Sequence, residues 1–338
     1  MTVRITKPEI NVREKLAELD KPSGIAGEAM LRAETVAEQQ ALIGAGRRNL
    51  LINGAFQVWQ RGTSSTSFTG STRGYIADRW SFRYATSAER STDVPDGEAF
   101  KYSLKVVIAS TSPDAFIIQA IEDSDRFAGQ TVTFSYWIKP SESCELRADY
   151  YRSAQGTHKI NGNVWQKVTN TFVVPSDITV NEFLYIQFPA NKVITFYVTG
   201  IQLELGRVAT PFEHRSYGEE LALCQRYYQR ITGGGYSWIT EVQRHNNTGF
   251  RSVLHLPVPL RVVPSISYSN LAYWYNNGSL STGTQSLGMG YTATGRTDIS
   301  HLNLEYIPTN MSLTTNGNLS AMLSFTSAGG YLDFSSEL

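Results

Sequence analysis

The chain has 338 residues, with 30 Lys plus Arg against 30 Asp plus Glu, so no global field draws it to nucleic acid or an anionic membrane. Hydrophobic residues reach 41% and charged ones only 18%, with 18 Tyr, 15 Phe and 6 Trp, a composition suited to β-sandwiches with polar faces. Cys144 and Cys224 are too few for a disulfide framework and are expected as free thiols, one on a strand and one on a helix. No apolar run follows Met1-Thr-Val-Arg4 as a signal peptide would require, and no stretch of about twenty apolar residues exists to insert in a membrane. Assembly in a cytoplasm is the expectation.

Residues 1–48 lack aromatics and are rich in Ala, Glu, Lys, Arg and Leu. The pattern predicts a short helix after Pro8 with Val12, Leu16 and Leu19 on one face, a break at Lys21-Pro22-Ser23-Gly24, and a second helix over Ile25–Ile43. The thin stripe through Met30, Ala33 and Ala37 buries too little to stand alone, so this arm is expected to dock to a larger assembly or to wrap identical subunits.

From Asn49 the period changes to two. Trp80, Phe82 and Tyr84 alternate with Ser81, Arg83 and Ala85; Val132, Phe134, Tyr136 and Ile138 alternate with Thr133, Ser135, Trp137 and Lys139. Many such short runs, separated by Gly, Pro, Ser and Asn, predict an antiparallel sandwich to about Arg215. Leu221, Leu223, Cys224, Tyr227 and Tyr228 fall at helical spacing and predict a connecting helix over 216–232, stopped at Gly233-Gly-Gly235. A second β domain is expected over 233–338, with exposed loops or a flat hairpin between Asn276 and Asp298. The fold class is therefore all-β: two antiparallel sandwiches joined by a short helix, behind an N-terminal α-helical arm.

Several ordered motifs carry a resemblance. They are Asn49-Leu-Leu-Ile-Asn-Gly-Ala-Phe-Gln-Val-Trp-Gln-Arg-Gly62, Tyr75-Ile-Ala-Asp-Arg-Trp80, Ile201-Gln-Leu-Glu-Leu-Gly206, Ala209-Thr-Pro-Phe-Glu213 and Leu221-Ala-Leu-Cys-Gln-Arg-Tyr-Tyr228. Together they resemble the jelly-roll module of bacteriophage tail-fibre and other virion appendage proteins, which is similar to carbohydrate-binding modules. Gly330-Tyr-Leu-Asp-Phe-Ser-Ser-Glu-Leu338 and Pro257-Val-Pro-Leu-Arg-Val-Val-Pro264 also look like the terminal domain of such fibres. The resemblance implies a structural virion protein that attaches through residues 1–48 to other virion proteins, forms a homotrimer and binds host surface glycan. A collar, baseplate or capsid-attached fibre serving assembly alone is the alternative. Related jelly rolls often hold calcium, but Thr199-Gly200 stands where a carboxylate ligand is expected, so neither that ion nor any other cofactor is predicted.

Catalytic motifs are missing: no nucleophile elbow, zinc helix, phosphate loop or dinucleotide fingerprint occurs, and His158, His214, His245, His255 and His301 show no metal spacing. Glu122 with Asp123, or Glu145 with Asp149, would be the pairs for glycan cleavage, the less favoured reading. Sugar rings pack their C–H faces on aromatics, with hydroxyls met at a polar rim. Trp137 on the polar face of its strand, with Tyr151, Arg147 and Asp149, is the first candidate platform; Tyr273, Trp274 and Tyr275 form a second. Trp59, Trp80 and Trp165 are expected to be structural, and Asp78 with Arg79 to pair or cap a turn.

Overall fold

The computed structural model describes residues 48–68, 73–108, 115–150, 157–178, 183–189, 192–234, 237–244, 250–275, 280–281, 285–289, 299–308, 320–325 and 329–338. The predicted helices of the arm and most of the stretch from Asn276 to Asp298 lie outside them.

Twelve strands build the first unit: β1 Ser64–Phe68, β2 Gly74–Tyr75, β3 Ser81–Arg83, β4 Ala85–Ser91, β5 Ser103–Ile108, β6 Ala115–Ala120, β7 Thr131–Pro140, β8 Cys144–Tyr150, β9 Thr157–Ile160, β10 Gln166–Val173, β11 Phe183–Phe188 and β12 Ile194–Leu205. They pair antiparallel into two six-stranded sheets, ordered β1-β4-β5-β12-β7-β10 and β2-β3-β6-β11-β8-β9. Alternation makes each sheet one-sided. On β7, Val132, Phe134, Tyr136 and Ile138 are fully buried in one core with Phe82, Leu104, Ile117, Leu184 and Phe196 from both sheets. Each such side chain contributes roughly 1.5–3 kcal/mol on leaving water, which outweighs any local preference.

One end of the sandwich is closed by the segment Asn49–Val58. The Asn49 amide accepts from Leu51 N and Leu203 N and donates to the Ile201 carbonyl. Asn53, at φ 59°, donates to the carbonyls of Val58 and Asp78. Gly54 lies so close to β12 that an added Cβ would stand 2.0 Å from the Ile201 oxygen. Trp80, 1% exposed, and the half-buried Trp59 pack with Phe56 in this plug, which bears out their structural reading.

The helix α1 spans Tyr217–Gln225, capped by Ser216 Oγ accepting from Glu219 N. It is shorter than the predicted 216–232. Tyr228–Gly233 instead forms β13, because its backbone pairs with β22 (Gly330–Ser335), residue by residue from Tyr228↔Ser335 to Gly233↔Gly330. The second β unit thus begins before Gly233, and Gly233 is a strand residue rather than a helix stop. Beyond it lie β14 Trp238–Arg244, β15 Phe250–Leu260, β16 Ser265–Ser269, β17 Leu271–Tyr275, β18 Leu280–Ser281, β19 Gln285–Met289, β20 Ile299–Pro308 and β21 Ser320–Phe325. They make a three-stranded sheet, β13-β22-β16, and a seven-stranded sheet, β18-β17-β21-β14-β15-β20-β19. The Phe325 ring packs where Cβ atoms on Gly233 and Gly330 would stand, at 2.9 and 2.6 Å, so the two glycines admit one sheet against the other. Cys144 lies on β8 and Cys224 on α1, both free thiols as expected.

Candidate functional site

The outward residues of the β1-β4-β5-β12-β7-β10 sheet fall into two halves. Thr133 and Ser135 on β7, and Gln202 and Glu204 on β12, face away from the core yet are at most 2% exposed. The strap Gly206–His214 covers them. Thr133 Oγ1 donates to the Gly206 carbonyl at 2.8 Å, Glu213 N to Gln202 Oε1 at 2.8 Å, and Thr210 N to Glu204 Oε2 at 3.1 Å. Farther along β7, Trp137 and Lys139 emerge half-buried beyond the strap.

Between the strap and the segment joining β4 to β5 lies a slot of about 260 Å³. Ser135, Trp137 and Gly200 form its floor; Thr210, Pro211 and Phe212 wall one flank, Glu98 stands on the other, and exposed Lys167 stands at the rim. Lys167, exposed on edge strand β10, is the direct cross-strand partner of Trp137. Gly200, at φ +62°, sits in the β12 bulge between Thr199 and Gln202. Phe100 packs onto it, 2.6 Å from where a Cβ would stand, and meets Phe212 edge-on at 5.1 Å and His214 at 5.2 Å. Burial beside these rings pushes the His214 imidazole below its ordinary range, only partly opposed by Glu98, so the cluster favours neutral histidine. The place expected to lack a calcium carboxylate is this turn; Thr199 Oγ1 donates there to the Tyr102 carbonyl at 2.8 Å.

Next to the slot, Trp165 is occupied. Its Nε1 donates to Asp93 Oδ1 at 3.0 Å, Asp93 Oδ2 accepts from Lys139, and the Lys139 ammonium lies 4.8 Å from the Tyr197 ring centroid and 5.6 Å from that of Trp165. The indole is fixed on both sides, the structural role expected of it. The slot presents one half-buried indole with hydroxyl, amine and carboxylate groups around it, a layout able to stack a sugar ring and meet its hydroxyls.

The structure divides the first predicted platform. Trp137 lies on the outer face of the β7 sheet, whereas Arg147 and Asp149 lie on β8 of the opposite sheet. Leu146 and Ala148 turn into the shared core, so half-buried Arg147 faces out the other way, and it cannot share a binding surface with Trp137. The Asp149 side chain and all of Tyr151 lie outside the described residues. Tyr273, Trp274 and Tyr275 form the end of β17, paired with β21, a strand end as expected; their side chains lie outside the described residues. Of the acidic pairs, Glu122 is held by Arg226 and Tyr227, and Glu145 stands 3.8 Å from Lys159. Among the described residues, no three His, Cys, Asp or Glu side chains gather as a metal site, and no helix is long and apolar enough to cross a membrane. Glu98, Lys167 and Phe212 were missed as site residues. Only the Ala209-Thr-Pro-Phe-Glu213 motif pointed near them, and it does not name the strand it leans on.

No family model matches the sequence, and no curated protein matches it. Solved structures do overlap it. A CBM4 structure matches at 16% identity and TM-score 0.27 over 38% of this chain and 95% of that one. The CBM22-2 xylan-binding domain of Paenibacillus barcinonensis Xyn10C matches at 18% identity and TM-score 0.27 over 38% and 92%. The enzymatically active domain of tailspike protein 4 of bacteriophage CBA120 matches at 15% identity and TM-score 0.33 over 47% of this chain and 21% of that one. Overlaps of this extent set neither family nor ligand; the β-sandwich fold stands on the sheet topology itself.

Proposed function

We propose that this protein is a glycan-binding appendage protein of a bacteriophage particle, reading host surface sugar at the Trp137 slot and acting without catalysis. The observation that carries the binding reading is the half-buried Trp137 indole on the floor of a walled slot, with Glu98 and Lys167 at its rim. An aromatic face next to paired polar groups is what a pyranose ring requires. The appendage reading rests on the ordered motifs between Asn49 and Tyr228. In it, residues 1–48 attach the chain to other virion proteins, the particle is assembled in a host cytoplasm, and three copies associate. A protein serving assembly alone is the rival.

Two measurements test this. Trp137→Ala is expected to weaken retention on host-cell polysaccharide while shifting the melting temperature by no more than a few degrees. A half-exposed indole holds on the order of 1 kcal/mol of a weak contact, which several copies on one particle multiply through avidity. Unchanged retention leaves the assembly role. Light scattering of the full chain and of a chain beginning at Asn49 checks the arm: a monomer in both cases removes the trimer.

A further inference from the structure

We infer that the slot takes one chain-terminal or side-branch sugar residue end-on, and does not bind the interior of a polysaccharide. This rests on the glycan-binding reading above and adds how the glycan enters.

Binding a chain interior needs a groove open at both ends. Among the described residues the sheet face has none. The strap Gly206–His214 covers the outward residues of β7 and β12 on one flank, fastened by the bonds to Thr133, Gln202 and Glu204. On the other flank the segment after β4 reaches across the sheet, with the Asp93 carboxylate tied to both Lys139 and Trp165. Phe100 seats on Gly200 and meets the Phe212 ring, and both Gly200 and Phe212 line the slot, so this end is stopped. Among the described residues, these closures leave entry over Lys167 on the edge strand β10. The volume agrees: about 260 Å³ falls below the roughly 300–1,000 Å³ of pockets that enclose drug-sized ligands, enough for one ring on Trp137 and not a run of them. Glu98 and Lys167 then stand where the ring hydroxyls and the departing linkage emerge, which makes them the residues that select which sugar is admitted.

The test uses the full chain and an array of immobilised oligosaccharides, one to eight residues long, built from common hexoses, N-acetylhexosamines and uronic acids. End-on binding predicts an affinity per chain end that stays within about twofold from two to eight residues. It also predicts a loss of at least about tenfold when the terminal ring is blocked by O-methylation. Phe212→Ala, which opens the stopped end at a half-buried position, is expected to restore a gain of affinity with length. Affinity of the unaltered chain that climbs with length and survives blocking overturns the end-on inference while leaving glycan binding intact. Binding to no member of the array overturns the glycan reading itself, and the inference with it.

Discussion

The Arg79 guanidinium lies 3.5 Å over the Tyr227 ring, joining a turn of the sandwich to the residue that precedes β13. It also bonds the Glu337 carboxylate and donates to the Ala120 carbonyl at 2.8 Å. Beside it Arg61 lies 3.4 Å over Tyr228 and 3.1 Å from the same Glu337, while buried Asp78 accepts from Gln60 N at 2.6 Å. Arg230 reaches back to the Arg61 carbonyl and pairs with Asp333. Motifs more than 250 residues apart thus converge on one junction, and Arg79 keeps a left-handed φ of 70° within it. Arg79 pairs with Glu337 at the far end of the chain, whereas the Asp78 carboxylate holds Gln60 and Arg61 close by in sequence, so the two expected to pair or cap a turn take separate partners.

Glu337→Ala is expected to cost about 3 kcal/mol, the lower end of what breaking a buried ion pair costs, because Arg79 keeps the Ala120 carbonyl and the Tyr227 ring. A double-mutant cycle with Arg79→Ala by denaturant unfolding measures the coupling. A coupling under about 0.5 kcal/mol would mean that the junction is held by packing alone.

Gly54→Ala is expected to destabilise by about 3 kcal/mol or more, since the new Cβ meets the Ile201 carbonyl at 2.0 Å, backbone that cannot swing away. Gly62→Ala supplies the contrast: nothing lies within 4 Å of its Cβ, and only its φ of +110° opposes the change. Thermal melts that rank Gly62→Ala as the worse of the two would contradict the tight approach of Asn49–Val58 to β12.

Glu122 governs one part of the pH dependence. Burial pushes its carboxyl up, but hydrogen bonds from Arg226 and Tyr227, together with the charges of Arg226 and Arg261, hold it below the ordinary 4.5. The unfolded carboxyl therefore binds its proton first as pH falls, so the stability Glu122 supplies is full above 4.5 and disappears below it. Asp78 and Glu220, both raised by burial, act with the opposite sign, losing stability as pH rises through their folded values. Relative to the unaltered chain, Glu122→Gln should lose less stability between pH 5 and 3. A parallel pair of curves would refute this.

Cys144, on β8, has its thiol pushed up to about 11 by burial. At pH 8 the thiolate is then on the order of one molecule in a thousand, so alkylation should be slow in the native protein and fast once it is unfolded. Cys224 is fully buried and should label only on unfolding. Rapid native modification of Cys144, read by mass spectrometry of its peptide, would count against its placement.

Elements whose physics is local were legible in the residues alone. Alternation along Thr131–Lys139 named the core side chains of β7, because a strand turns successive residues to opposite faces. Composition and turn spacing named the all-β class. Tertiary structure decided what alternation cannot: which sheet a face belongs to, and what lies over it. Trp137 and Arg147 each read correctly as outward, yet two sheets back to back send them to opposite sides. Tyr227 and Tyr228 stand at helical spacing, but Tyr228–Gly233 pairs with Gly330–Ser335, a partner far along the chain that local spacing does not encode, and this makes Tyr228 the first residue of a strand. The slot depends on register as well. Lys167 faces Trp137, and a strap some seventy residues farther along walls it in, because hydrogen bonds of long sequence separation fix those neighbours and no local pattern encodes them.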